Sequence, residues 1–346
     1  MNNPDKLKIL YLIKTMDVGG AERFTFNLCR YFSDKVKKIT VFSSGGIFAD
    51  ELNKTRVKCI NSSFAKSKNL PAIRSELKQM LKEERFDIIH VQHRIFLPIL
   101  MTLNTGSAKI IYTANNFFND FYQKMIFPDA AVGISPSIEK NLLETTLIDK
   151  KKIFRINYGV EVKNTFKSLK EIITIGFVGR LIKEKGIYKL IDAFRKIKSD
   201  RLKLIICGNG PEKNNILKLI ETGDTCSKIE YLSPTINIDD IYKLIDVLIL
   251  PTSLNEGLPI SILEAMARKI IVVTSKSGAI TDAIIDNETG LLLEDNSEKS
   301  IVNKINYLMN NPDKMESIKE KGYKKVGADF SIDAMCKSYE GLYSEC

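Results

Sequence analysis

The sequence predicts an α/β protein built from two Rossmann-like halves, and three observations lead there. Its 346 residues suffice for two domains, each long enough to bury a core. Strand-like apolar runs alternate with amphipathic helix-like runs, the pattern of a parallel sheet with crossover helices. Between Lys163 and Lys170 that alternation gives way to a polar stretch without apolar period, after which it starts again. The halves are therefore set at 1–165 and 166–330. The tail from about 297 is helical by pattern, with 331–346 set apart as a terminal helix.

In the first half, Lys8–Ile13 reads as strand one. The turn Asp17-Val18-Gly19-Gly20 follows, and an amphipathic helix opens at Ala21. A glycine pair here serves any tight turn, and it also lets backbone amides approach an anion. Further strands read at 39–43, 57–60, 86–92, 108–113 and 130–135, with a last one inside 150–161. A charged helix covers 69–85, its apolar stripe made by Leu70, Ile73, Leu77, Met80 and Leu81. Another helix starts at Pro136 with Ser135 as its cap.

The two histidines of the chain, His90 and His93, both lie on the fourth strand of this half. Three apart on a strand, they face opposite ways and make a poor metal clamp. His93 falls at the carboxyl tip, where α/β sheets bind ligands, and His90 is expected to be packed with an internal hydrogen bond. Residues 117–127, with Phe117, Phe118, Phe121, Tyr122, Met125, Ile126 and Phe127, read as packing in preference to a helix dipping into a membrane interface.

The second half repeats the scheme. Ile172–Gly179 is a strand, followed by Arg180 and by Lys185-Gly186 at the start of the next helix. Two cations there could face a diphosphate, Arg with a planar fork and Lys as a compact charge, although basic loop residues are often merely solvated. Leu204–Cys207 runs into the turn Gly208-Asn209-Gly210-Pro211, and Ile229–Leu232 is the strand after it. Val247–Pro251 reads as a strand leading into Glu256-Gly257-Leu258-Pro259, with Pro259 suited to the first helical position and Glu264 further along the helix. Amides at Gly257 and Leu258 would favour an anion at the helix start. Eight helical steps would set the two carboxylates roughly 12 Å apart, a span fitting two sugar rings on either side of a diphosphate. Read blandly, Glu256 complements the helix dipole and Glu264 is a solvated helix residue. Strands at 270–274 and 290–293 close this half.

Composition narrows the class. Hydrophobic residues make 44% and charged residues 27%, ordinary for a globular protein, and no apolar run reaches membrane-span length. Six scattered cysteines without a Cys-x2-Cys pair, and a start without signal-peptide pattern, point to the cytoplasm. Residues 1–165 hold 26 Lys+Arg against 16 Asp+Glu, whereas 166–346 hold 26 of each, so the entire net charge of +10 sits in the first half. An anionic membrane or anionic acceptor is the expected partner. Nucleic acid is not expected, because no motif of that class is present.

Several of these stretches, in order along nearly the full chain, resemble the family-four retaining glycosyltransferases of the GT-B fold, the glycosyl transferases of group 1. They are Gly19-Gly20-Ala21-Glu22-Arg23, Gly179-Arg180-x4-Lys185-Gly186, Gly208-Asn209-Gly210-Pro211 and Glu256-Gly257-Leu258-Pro259-x4-Glu264-Ala265-Met266-Ala267. The resemblance implies two Rossmann-like domains with parallel sheets facing across a cleft. The first would bind the acceptor and the second the nucleotide sugar, with the last helix packed back on the first domain. It implies that Arg180 and Lys185 stabilise the departing diphosphate, Glu256 contacts the donor sugar, Glu264 the ribose, and His93 the reacting centre. Gly19, Gly20, Gly179, Gly208, Gly210, Leu232, Gly257 and Leu258 would line the donor. Asn115 on the acceptor side departs from the pattern, since many relatives have histidine there, and an amide cannot take a proton. Lys269-Ile270 stands where Gly-Pro is usual, and Asp282 where glutamate is.

The expected reaction moves a sugar from a nucleotide-diphosphate sugar, UDP-sugar foremost, to a hydroxyl of a glycan or lipid-linked acceptor, with retention, in bacterial surface polysaccharide synthesis. No cofactor is expected. No Asp-x-Asp occurs in the chain, so turnover without metal is expected too, at the inner face of the membrane. A nucleotide-sugar epimerase would need more base-competent side chains than two histidines supply. A non-catalytic donor-binding subunit would not need Arg180, Lys185, Glu256 and Glu264 together. A nicotinamide dehydrogenase would carry Gly-x-Gly-x-x-Gly after strand one, and Gly19-Gly20 is not that.

Overall fold

The computed structural model describes residues 6–67, 69–118, 127–163, 172–222 and 228–345. They form two compact units, Met1–Gly159 with Ile332–Cys346, and Val160–Ser331. The division falls ahead of the polar stretch 163–170, most of which lies outside the described residues. So do Phe121, Tyr122, Met125 and Ile126 of the aromatic run. Of its flanks, Phe118 is buried and Phe127 is exposed.

The first unit runs β1 (Lys8–Leu12), α1 (Gly20–Phe32), β2 (Lys38–Ser43), α2 (Ile47–Leu52), β3 (Lys58–Asn61), α3 (Leu70–Glu83), β4 (Ile88–Val91), α4 (Phe96–Leu100), β5 (Lys109–Ala114), β6 (Ala130–Gly133), α5 (Pro136–Thr145) and β7 (Ile153–Arg155). Its described strands form one parallel sheet in the order β3-β2-β1-β4-β5-β6-β7. A parallel sheet covered on both faces needs strands that are apolar throughout, and β4, fully buried, reads Ile-Ile-His-Val. The stretch 150–161 yields less strand than expected. Asp149 caps a 3-10 turn at Lys150–Lys152, and only Ile153–Arg155 pairs.

The second unit runs β8 (Ile173–Val178), α6 (Ile187–Lys196), β9 (Leu202–Cys207), α7 (Lys213–Glu221), β10 (Ile229–Leu232), α8 (Asp239–Tyr242), β11 (Val247–Leu250), α9 (Ile260–Met266), β12 (Ile271–Ser275), β13 (Leu291–Leu293), α10 (Glu298–Asn310) and α11 (Pro312–Asp329). Its described strands are also parallel, in the order β10-β9-β8-β11-β12-β13. Both sheets thus reverse direction beside their first strand, between β1 and β4 and between β8 and β11, which is where doubly wound sheets bind ligands. Just past α9, Lys269 adopts φ 54, a left-handed conformation that glycine takes without strain.

The chain leaves the second unit where it entered, Val160 bridging Ser331, and ends as α12 (Ile332–Glu345) in the first unit. Buried polar pairs dock α12 on the sheet. The Tyr343 hydroxyl lies 2.6 Å from His90 Nδ1 and 3.1 Å from the Tyr11 hydroxyl. Thr113 Oγ1 lies 2.7 Å from His90 Nε2 and 2.8 Å from the Tyr339 hydroxyl. Burial holds the His90 pKa down to about 3, so the ring is neutral and acts as a spacer between tyrosine and threonine.

Candidate active site

In the second unit, two close approaches of backbone bring the loops after β8 and β9 together. Gly179 N–H donates to Cys207 O at 3.0 Å, and Leu181 N–H to Asn209 O at 2.9 Å. A Cβ on Gly208 would lie 1.9 Å from Gly179 O, and one on Gly210 2.4 Å from Leu181 O, so neither position admits a side chain without a shift of backbone. At Gly179 a Cβ would touch nothing within 4 Å. Arg180 is exposed; its carbonyl accepts from Ile182 N–H at 3.0 Å, and among the described residues its side chain has no hydrogen-bond or ion-pair partner.

The chain then makes a 3-10 turn, Lys183–Lys185, and turns into α6 through Gly186 at φ 76. A Cβ at Gly186 would sit 2.1 Å from Pro251 O, so the Lys-Gly pair needs its glycine for both conformation and space. Glu184 O accepts from Ser253 N–H at 2.8 Å and from Ser253 Oγ at 3.1 Å. This laces the loop after β8 to the loop after β11, across the reversal point. Lys185 Nζ consequently lies 2.6 Å from both Glu256 Oε1 and Oε2.

The Glu256 loop is pinned from several sides. Thr252, fully buried, donates to Glu256 Oε1 at 3.1 Å. Ala279 N–H donates to Glu256 O at 3.2 Å, and Ser277 Oγ to Leu254 O at 2.6 Å. Gly278, at φ 55, lets this happen, since a Cβ there would be 2.0 Å from Glu256 O. The Lys185 and Glu256 side chains are 12% and 18% exposed, sheltered enough for the pair to be felt yet open to a ligand.

Glu264 is not the solvated helix residue of the bland reading. It is 5% exposed, and its Oε2 accepts from the Tyr242 hydroxyl at 3.1 Å. A buried carboxylate is costly unless hydrogen-bonded, and this one is. Arg268, one turn on, donates from Nη1 to Glu264 O at 3.1 Å and from Nε to Asp239 Oδ1 at 2.6 Å. Pro259 proves to be the N-cap of α9 and not its first helical residue. The steps from Glu256 to Pro259 are therefore not helical, and the spacing estimate for eight helical steps does not apply. Gly257 and Leu258 are buried in that loop. Leu232 ends β10, in register with Cys207 of β9.

In the first unit, Gly19 is the extended N-cap of α1 and Gly20 its first residue, whose carbonyl accepts from the Tyr158 hydroxyl. The Glu22 carboxylate folds back over Gly19, where a Cβ would lie 2.3 Å from it. His93 follows β4 at that sheet's reversal point, and its Nδ1 accepts from Lys14 N–H at 3.3 Å. Accepting at Nδ1 assigns the proton to Nε2. Burial first, and the Lys14 charge second, hold the His93 pKa down to about 4, so the ring is a neutral donor at pH 7. Asn115, after β5, donates through Nδ2 to Gln92 O at 3.3 Å and to Gln92 Oε1 at 3.4 Å. Its Oδ1 is buried without a partner among the described residues.

The candidate residues thus form two sets, one on the carboxyl edge of each sheet. Those of the second unit converge most tightly at Lys185 and Glu256. Thr252, Tyr242, Asp239, Arg268 and Gly278 were not anticipated. Thr252 follows Pro251 just past the end of β11, a signal that could have found it, whereas Tyr242 sits on a four-residue helix too short for periodicity. Among the described residues no group of three or more His, Cys, Asp or Glu is arranged to hold a metal.

Comparison with known proteins covers both units. The sequence profile of Glycosyl transferases group 1 matches residues 161–325, and that of Glycosyltransferase Family 4 matches 18–164. The capsular polysaccharide biosynthesis glycosyltransferase CapM of Staphylococcus aureus is 27% identical over 62% of this chain and 60% of its own length. The O-antigen biosynthesis glycosyltransferase WclY of Escherichia coli is 22% identical over 98% of both. The crystal structure of Anabaena HepE in complex with UDP and glucose superposes with a TM-score of 0.82 at 16% identity, covering 98% of this chain and 100% of that one.

Proposed function

This chain belongs to the group 1 glycosyltransferases and has their GT-B fold, and from that premise we propose that it transfers a sugar, with retention of configuration, from a UDP-sugar to a hydroxyl of a glycan or lipid-linked acceptor. The observation that carries the proposal is the Lys185–Glu256 pair, 2.6 Å apart at the point where the second sheet reverses. Relatives named for capsule and O-antigen synthesis support a bacterial surface polysaccharide as the product, and HepE with UDP and glucose supports the donor class.

Arg180 and Lys185 meet the diphosphate, whose bridging oxygen gains charge as its bond to the sugar breaks. Glu256, held by Lys185 and Thr252, orients the sugar hydroxyls, and Glu264 holds the ribose. Amides of Gly257 and Leu258 face phosphate oxygens. Gly179 leaves open space beside the nucleotide, Gly208 and Gly210 let the two loops that line the donor pack backbone to backbone, and the backbone at Leu232 receives the base. Gly19 and Gly20 let the first loop approach the donor phosphate. His93 donates from Nε2 at the reacting centre, and Asn115 offers Oδ1 to an acceptor hydroxyl. The acceptor oxygen bonds the anomeric carbon on the face the diphosphate leaves, and its proton passes to the leaving phosphate. No enzyme nucleophile is used, and the two cations carry the charge role without metal. The basic first half brings the enzyme to acceptors at an anionic membrane surface on the cytoplasmic side.

The test is UDP release from UDP-sugars with EDTA present, an acceptor extract on anionic vesicles, and NMR of the product's anomeric proton. An α-linked product from an α-linked donor, with the protein sedimenting on anionic but not neutral vesicles at low salt, is expected. An inverted product would overturn the mechanism, and equal sedimentation on both vesicles would remove the membrane part.

A further inference from the structure

Behind Glu264 stands a side chain that no part of the reaction so far accounts for. Tyr242 is 1% exposed, and its hydroxyl lies 3.1 Å from Glu264 Oε2 and 3.2 Å from Ser261 O. It has one proton to give, and the carboxylate is the stronger acceptor. The ring is itself held, with the Arg268 guanidinium 5.4 Å from its centroid. Arg268 is 5% exposed and is fixed by Asp239 at 2.6 Å and by Glu264 O at 3.1 Å. The carboxylate of Glu264 is thus tied at one oxygen to a rigid, buried ring. A glutamate has several staggered rotamers open to it, and this hydrogen bond favours one of them.

We propose that Tyr242 is a positioning residue for ribose recognition: its hydroxyl fixes the rotamer of Glu264, so that this site tells a ribonucleotide from its 2′-deoxy counterpart. The proposal rests on the reading of Glu264 as the ribose ligand, and the two can fail separately. Burial keeps the phenol protonated, its pKa raised well above 10 chiefly by desolvation and then by the Glu264 charge, so it donates at every working pH. Losing one hydrogen bond to a charged group in a buried site is expected to cost about tenfold in affinity, or somewhat more.

The experiment takes whichever of UDP, GDP and ADP binds the wild type tightest by calorimetry, together with its 2′-deoxy form. Each is titrated into wild type, Tyr242→Phe and Glu264→Gln. The ratio of the two affinities on one preparation is insensitive to the folded fraction, and phenylalanine keeps the ring against Arg268. Wild type is expected to prefer the ribo form, and both variants are expected to weaken the ribo form about tenfold while barely changing the deoxy form. If Glu264→Gln loses ribose preference and Tyr242→Phe keeps it, the positioning role is wrong and the ribose reading stands. If Glu264→Gln itself leaves the preference intact, or none of the three diphosphates binds, the ribose reading falls and this inference with it.

Discussion

Replacing Arg180 by alanine is expected to slow sugar transfer by about 10²–10³-fold and leave the melting temperature within about a degree. The side chain is exposed and has no partner among the described residues, so folding loses nothing when it goes. Lys185→Ala should lose as much turnover but should also destabilise the fold. It strips the cation from a Glu256 carboxylate that is only 18% exposed, which typically costs about 1–3 kcal/mol. Removing both partners, as Lys185→Ala with Glu256→Ala, should recover part of that stability and none of the turnover. Near-normal transfer by Arg180→Ala would show that the diphosphate is not held there. Equal stability of Lys185→Ala and wild type would show that the pair contributes nothing to the loop.

The second large effect is acid lability of the first unit. His90 and His93 are held neutral by burial, with pKa values of about 3 and about 4 against an ordinary value of 6.5. In the unfolded chain both titrate near 6.5, so below that pH the unfolded state binds more protons. Stability is therefore complete above pH 6.5 and declines as pH falls, each histidine adding a slope of up to about 1.4 kcal/mol per unit. The decline from His93 ends near pH 4 and that from His90 near pH 3. Urea midpoints between pH 7 and 5 isolate the effect, because carboxylates titrate mostly below that range. A flat midpoint there would mean that the rings are not sequestered as the contacts of His90 with Tyr343, Thr113 and Gln92, and of His93 with Lys14 N–H, imply.

Much of this architecture was legible because parallel sheets write themselves plainly. The inner strands fall on apolar runs readable without coordinates, since both sheet faces are covered there, whereas the edge strands β3 and β10 are shorter in apolar residues and partly exposed. The short helices α2, α4 and α8 were not legible, for four to six residues do not complete a periodic pattern. α7, with nine residues, buries only Ile216 and Ile220, a pair too small to mark a helix by itself. Lys185 and Glu256 were each identified as site residues. That they pair with each other, 71 positions apart, follows from the reversal of strand order and the lacing through Glu184 and Ser253, and neither is written locally. The burial of Glu264 was hidden for a similar reason, since its cover, Tyr242, comes from α8. At Lys269, the residue standing where glycine is usual does occupy a left-handed turn, so a sequence departure marks a real backbone demand.

The claim everything else rests on is that the carboxyl edge of the second sheet holds a nucleoside diphosphate through Arg180 and Lys185. A melting-temperature panel of UDP, GDP, ADP and their sugar conjugates, run on wild type, Arg180→Ala and Lys185→Ala, tests it most directly. Binding at a hundred times the dissociation constant adds about 2.7 kcal/mol to the native state. One base is therefore expected to raise the wild-type midpoint by several degrees, and either alanine variant to lose most of that rise. A wild type that no nucleotide stabilises, or variants stabilised as strongly as wild type, would contradict the account.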